Sequence, residues 1–168
     1  MTMTELLLGE LDTELAATRK VLGRLPGDRL DWRPHARSWT LAQLATHTLM
    51  IPEWGRVTLT TKMYDLAPAG GPIPSPRPIE STEEALERLD SNGAGARAAL
   101  AACKGRSLDM PWSLLREGRV LSTHTRLQVW RGMIINHMIH HRGQLCLCLR
   151  LLNVPVPAVY GPSADEQA

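Results

Sequence analysis

Leu7, Leu11, Leu15, Thr18 and Leu22 recur at steps of three or four, the repeat that gathers side chains on one side of an α-helix. The spacing predicts an amphipathic helix over about residues 4–25, interrupted afterwards by Pro26, Gly27 and Pro34. A second stripe of Leu41, Leu44, Thr48 and Ile51 marks a helix capped by Ser38 or Thr40. Pro52 falls inside this stripe, so the helix is expected to kink there or to break in two. Ser81 followed by Glu84 opens a third helix with the pattern of a capping box, and Gly93 and Gly95 sit in its middle. The last helix, about residues 125–153, carries Trp130, Ile134, Leu145, Leu149 and Leu152 near one side and stops before Pro155.

Two segments do not carry a helical repeat. "APAGGPIPSPRP", residues 67–78, is dense in Pro and Gly and reads as a long crossover connection inside a single domain spanning residues 1–168. "PWSLLREGRVLSTHT", residues 111–125, reads as a small hairpin or an irregular loop. Four helices, one crossover and little strand signal predict an all-α protein: a four-helix bundle with a long crossover connection and at most a short hairpin before the last helix.

Composition narrows the partners. Apolar residues make up 43% and charged residues 21% of the 168 residues, as in an ordinary globular domain. The formal charge of +2, with basic residues scattered, gives no electrostatic footprint for nucleic acid. Cys103, Cys146 and Cys148 form no CxxC pair, which fits a reducing compartment. The first residues are acidic rather than basic, and no stretch approaches the roughly 20 apolar residues of a membrane span. A cytoplasmic protein without membrane contact is the expectation.

The histidines change the picture. His137, His140 and His141 are half of the six in the chain and fall within five positions of "NHMIHHRGQL". They are either decoration on a polar helix or ligands of one site. His137 and His141 are four apart, one above the other on a helix, and continue the apolar stripe. An imidazole facing a bundle interior needs a partner, and a shared metal ion satisfies two at once. His140 is rotated by about 100° from His141; His137 with His140 is also geometrically possible, but His141 lies better in line with Leu145 and Cys148. His47, between Leu44, Thr48 and Ile51, offers a third nitrogen from a facing helix. Three nitrogens leave an open coordination position, the mark of a catalytic rather than a structural site.

"NHMIHHRGQLCLCLRLLNVPVPAVYGPSADE" resembles the C-terminal signature of the DinB-like family of metalloenzymes, in which a helix carries H-x₃-H-R-G-Q and a "Val-Pro-x-Pro…Tyr-Gly-Pro" tail follows. "SWTLAQLATHTLMIPEWG" resembles that family's second-helix pattern, with its histidine at His47. The resemblance implies a four-helix bundle, a homodimer, and a divalent ion, zinc or nickel, on His47, His137 and His141. It also implies, from some members, a thiol-dependent transferase using a low-molecular-weight thiol beside a small-molecule substrate. Asn153 stands where the family commonly has Gly, and Asn also tolerates a left-handed helix cap.

Around the ligands, Gln144 is placed to hold a ring N–H of His141, Arg142 to receive a carboxylate or to form a structural ion pair, and Tyr160 to lean over the metal mouth or pack in the tail. Trp39, Trp54 and Trp130 are expected to fill the core or a dimer interface. Two other readings stand beside the transferase: a hydrolase using metal-activated water, and a non-catalytic metal-stabilised stress or interaction module.

Overall fold

A computed structural model of the chain describes residues 2–71 and 75–167. Helix α1 spans Met3–Leu22, and Thr2 and Glu5 close a capping box at its start. Helix α2 spans Leu41–Thr60, capped reciprocally by Thr40 and Gln43. Pro52 does not break it. Its missing N–H removes the helical donor of the Thr48 carbonyl, while one turn is held from outside: the Asn92 amide donates to the Leu49 carbonyl at 2.8 Å, tying this part of α2 to the next helix. That helix, α3, spans Thr82–Ala101. Ser81 caps it through the Glu84 N–H, but the Glu84 carboxylate turns to the Glu80 N–H at 2.8 Å, so the expected box is only half formed.

The direction of α3 follows from its partners. Thr46 accepts from the Ile79 N–H at 2.9 Å, Asn92 reaches Leu49, and Gly95 lies against Arg56. Positions rise together along α2 and α3, so the two run parallel, and the chain must cross the length of the bundle between them. Against α1 the order reverses: Arg19 pairs with Asp90 and Asp12 with Arg97. The crossover thus does what its length suggests, although residues 72–74 within it lie outside the described residues.

The all-α expectation needs correction. Alongside the helices, the protein carries a three-stranded sheet in the order β1 (Met63–Asp65), β2 (Pro111–Arg116), β3 (Arg119–Thr125). β2 and β3 are the hairpin, and β1, parallel to β2, is recruited from the short segment between α2 and the crossover. Glu117 and Gly118 at the hairpin tip both have positive φ, 53° and 74°, the signature of a type I′ turn. The Asp65 carboxylate stabilises it by accepting the N–H groups of Ala67, Glu117 and Gly118 at 3.0, 3.0 and 2.8 Å. One side chain therefore fastens crossover to hairpin. A three-residue strand lacks enough sequence to show an alternation, which is why it escapes a reading by period.

The last helical run begins with α4 (Arg126–Val129), passes through a π-helical turn at Trp130–Ile135 and continues as α5 (Asn136–Leu151). Asn136 N–H bonds the Arg131 carbonyl, five residues back, so the turn holds an extra residue, a device frequent at functional sites. It shifts the buried stripe, which runs through Trp130, Ile134, Ile135, Met138, Leu145 and Leu149. Met138, not His137, occupies the central core line. Asn153 ends the helix with φ 56°, and Val154 N–H closes back on the Leu149 carbonyl at 2.9 Å, a left-handed cap. Gly55 on α2 lies close to this helix: a Cβ there would lie 3.0 Å from the Trp130 ring. Among the described residues no helix is long and apolar enough to cross a membrane.

Candidate metal centre

His47 lies on α2, one turn after Leu44 and seven positions after the Thr40 cap; His137 and His141 lie on the first turns of α5. Since α2 packs beside α5, the three rings meet. Their centroids stand 4.5 Å (His47 to His141), 4.6 Å (His137 to His141) and 4.9 Å (His47 to His137) apart. One nitrogen from each lies within 4.8 Å of the others, and His47 Nε2 is 3.1 Å from His137 Nε2. Among the described residues this is the one group of three or more His, Cys, Asp or Glu spaced for a metal ion. His140 is exposed and stands outside it.

The trio sits at the edge of the bundle rather than in its centre. His141 is buried, while His47 and His137 are half-buried. Burial, followed by the fields of His141 and His137, holds the His47 pKa at about 4, below the ordinary 6.5. Burial also lowers the pKa of His137 and of His141. At neutral pH the rings are uncharged, the form that binds a metal.

Two of the rings are also oriented for it. His141 Nδ1 is 2.7 Å from Gln144 Oε1, and His137 Nδ1 is 3.3 Å from the Met133 carbonyl. Both partners are oxygens, so both Nδ1 atoms carry the proton and both Nε2 lone pairs are left free. A tetrahedral ion bound at about 2.0–2.1 Å needs its nitrogens about 3.3 Å apart. Only small ring movements separate this arrangement from that one, so the donor set fits a divalent ion.

Two tryptophans border the trio, which the sequence reading assigned to core or interface. The Trp39 ring lies 4.7 Å from His47 and 5.9 Å from His141, and Trp54 lies 5.1 Å from His47 and 5.9 Å from His137, stacked at 23°. Trp54 is seven positions beyond His47, hence on the same side of α2; that spacing could have revealed it. Only Trp130 is fully buried in the core.

Arg142 and Tyr160 belong to a different place. Arg142, buried, pairs with Glu14 at 2.7 Å and also donates to the Glu14 carbonyl and to Thr18. Tyr160 lies across the guanidinium, hydrogen-bonds it, and donates to Glu14 Oε2 at 2.7 Å. This network ties the C-terminal tail to α1 and α5, away from the metal trio on a different side of α5. Cys103, Cys146 and Cys148 are free, and burial raises the pKa of each, keeping them as thiols.

Comparisons agree with this architecture. The whole chain, residues 1–168, matches the DinB family, and the protein belongs to it. It is 28% identical over 160 residues to the uncharacterized protein YrdA of Bacillus subtilis, covering 92% of this chain and 86% of that one. Its fold is similar to a crystal structure of a DinB-like protein from Bacillus cereus, with a TM-score of 0.67, 20% identity and coverage of 92% and 95%. It is also similar to the DinB-like protein YjoA of Bacillus subtilis, with a TM-score of 0.68, 14% identity and coverage of 96% and 99%.

Proposed function

We propose that this DinB-family protein is a divalent-metal-dependent enzyme with His47, His137 and His141 as ligands, zinc or nickel as the ion, and a low-molecular-weight thiol as co-substrate in a transfer reaction. The observation that supports it is the convergence of three neutral imidazoles from two helices, each beside a cleft. A divalent ion there supplies Lewis acidity, favouring the ionised form of a small thiol near pH 7. The protein's own residues do the rest. Gln144 and the Met133 carbonyl hold the Nδ1 protons, and Trp39 and Trp54 keep bulk water from the sides of the rings.

On the His141 side a cleft is lined by Arg37, Ser38, Thr40 and Gln144. Arg37 is its one cationic side chain and suits a carboxylate on the thiol. A homodimer is proposed as well, supported by Leu147 and Leu151, four apart on α5 and 60% and 54% exposed.

Metal analysis of wild type beside His47→Ala, His137→Ala and His141→Ala tests the ligands, with about one ion per chain expected only in wild type. A conjugation screen with small thiols and electrophiles then tests the reaction. A loaded protein that neither consumes thiol nor changes its metal affinity on adding thiol refutes the transferase and leaves a metal-stabilised module. Sedimentation gives the oligomeric state.

A further inference from the structure

A cavity of about 350 Å³ opens on the side of the trio formed by His47 and His137. Its walls come from three directions. Met50, Trp54 and Val57 line it from α2, Met133 and Ile134 from the π-helical turn, and Tyr64, Trp112 and Leu114 from the sheet. Among the described residues no Asp, Glu, Lys or Arg side chain lines it. Two of its polar residues are already engaged: Thr58 donates to the Trp54 carbonyl at 2.9 Å, and Trp112 Nε1 donates to Thr61 Oγ1 at 3.2 Å. What remains to meet a ligand is apolar surface, the Trp54 indole, the Tyr64 phenol and, at one end, the imidazoles.

A charged group placed against these walls would lose its water without gaining a partner, which is strongly unfavourable. Apolar surface gains by entering. Size adds a bound, since an apolar cavity of roughly 150 Å³ already holds benzene. The cleft carrying the Arg37 cation, mixed in its lining, lies against His141. The trio thus separates a space suited to charge from one that rejects it.

We infer that this cavity is the subsite for the second substrate of the reaction proposed above, and that this substrate is an uncharged, largely apolar molecule of up to three aromatic rings. Its reacting end lies against His47 and His137, while the thiol arrives from the Arg37 side. The inference rests on the metal-enzyme reading for the role of the cavity, but not for the class of molecule that fits it.

A matched pair of fluorescent probes tests this on the full-length protein, with metal content measured on the same samples. N-phenyl-1-naphthylamine is uncharged; 8-anilinonaphthalene-1-sulfonate is the same skeleton bearing an anion. The neutral probe should bind saturably at one site per chain, and the anion about tenfold more weakly or worse, a difference of about 1.4 kcal/mol. Leu66→Glu introduces a charge at a lining position that is 42% exposed and tolerant of it, and Leu114→Trp fills the space without charge. Both should weaken the neutral probe by about tenfold with unchanged circular dichroism.

Equal binding of the two probes, or wild-type affinity for the neutral probe in both folded variants, overturns the inference. A sample that selects the neutral probe but holds no ion refutes the metal reading and leaves the apolar subsite standing. A sample that holds the ion without selecting the probe refutes the subsite alone.

Discussion

His141 and Gln144 are joined through Nδ1 and Oε1 at 2.7 Å, one turn apart on the same helix. The amide oxygen accepts only, so it fixes the tautomer and leaves Nε2 facing His47 and His137. Gln144→Leu removes this hold without emptying the trio. Metal affinity should fall by about 10–100-fold, as it does when such supporting partners are lost. Competition with a chelator of known affinity measures it, and an unchanged affinity would show that the ring needs no such support.

His140 provides the internal control. It neighbours His141, with ring centroids 4.9 Å apart, yet it is exposed and outside the cluster. His140→Ala should keep one ion per chain, whereas His137→Ala should lose it. If His140→Ala empties the site while His141→Ala does not, the ligand set is misassigned.

Acid should destabilise the metal-free protein through the same rings. Above about pH 6.5 the imidazoles are neutral in folded and unfolded chains alike. Below it the unfolded chain takes up protons first, because the folded pKa of His47 is lowered to about 4 and those of His137 and His141 are lowered too. Stability therefore falls as pH drops from 6.5 towards 4 and levels once the folded rings also protonate. Urea midpoints across this range should fall less steeply for His47→Gln than for wild type, each measured without metal.

The Arg142–Glu14 pair should behave as a structural element. Arg142→Met leaves the Glu14 carboxylate buried without its cation and should cost about 3–5 kcal/mol. Combining it with Glu14→Leu should recover most of that loss. Tyr160→Phe removes one hydroxyl from the network and should cost about 1 kcal/mol. Chemical denaturation reads all three, and metal content should stay as in wild type; a loss of metal in Tyr160→Phe would bring the tail into the site after all.

Gly143 lies in the middle of α5, exposed, with nothing within 4 Å of where a Cβ would stand. Unlike Gly55 on α2, which lies against the Trp130 ring, it meets no neighbouring helix. Gly143→Ala should therefore stabilise the fold by about 1 kcal/mol, the helix-propensity difference alone. A raised melting temperature with unaltered metal binding would confirm it, while a lowered one would mean that this glycine meets something the monomer does not contain.

Much of this was legible because long helices repeat their signals. The stripes, the Thr40 cap and the Asn153 stop could be read from spacing, and His47, His137 and His141 could be singled out because polar rings interrupted those stripes. Three features were hidden for physical reasons. The β1 strand of three residues is held by Asp65, a tertiary contact with no local pattern. The π-helical turn changes the period by one residue, so counting in fours placed His137 on the core line that Met138 fills. Arg142 follows His141 directly, and adjacency in sequence suggested a shared site, but successive helical residues point about 100° apart, and this one reaches Glu14.

The sheet has a consequence for how such a protein can diversify. The three clustered histidines come from helices that also hold the interior together, so they tolerate little change. Tyr64, Trp112 and Leu114 come from the separate sheet that Asp65 helps to fasten, so a change at Leu114 falls outside the helices that carry the imidazoles. The shape of the cavity beside the trio can vary in the strands while the histidine-bearing helices stay as they are.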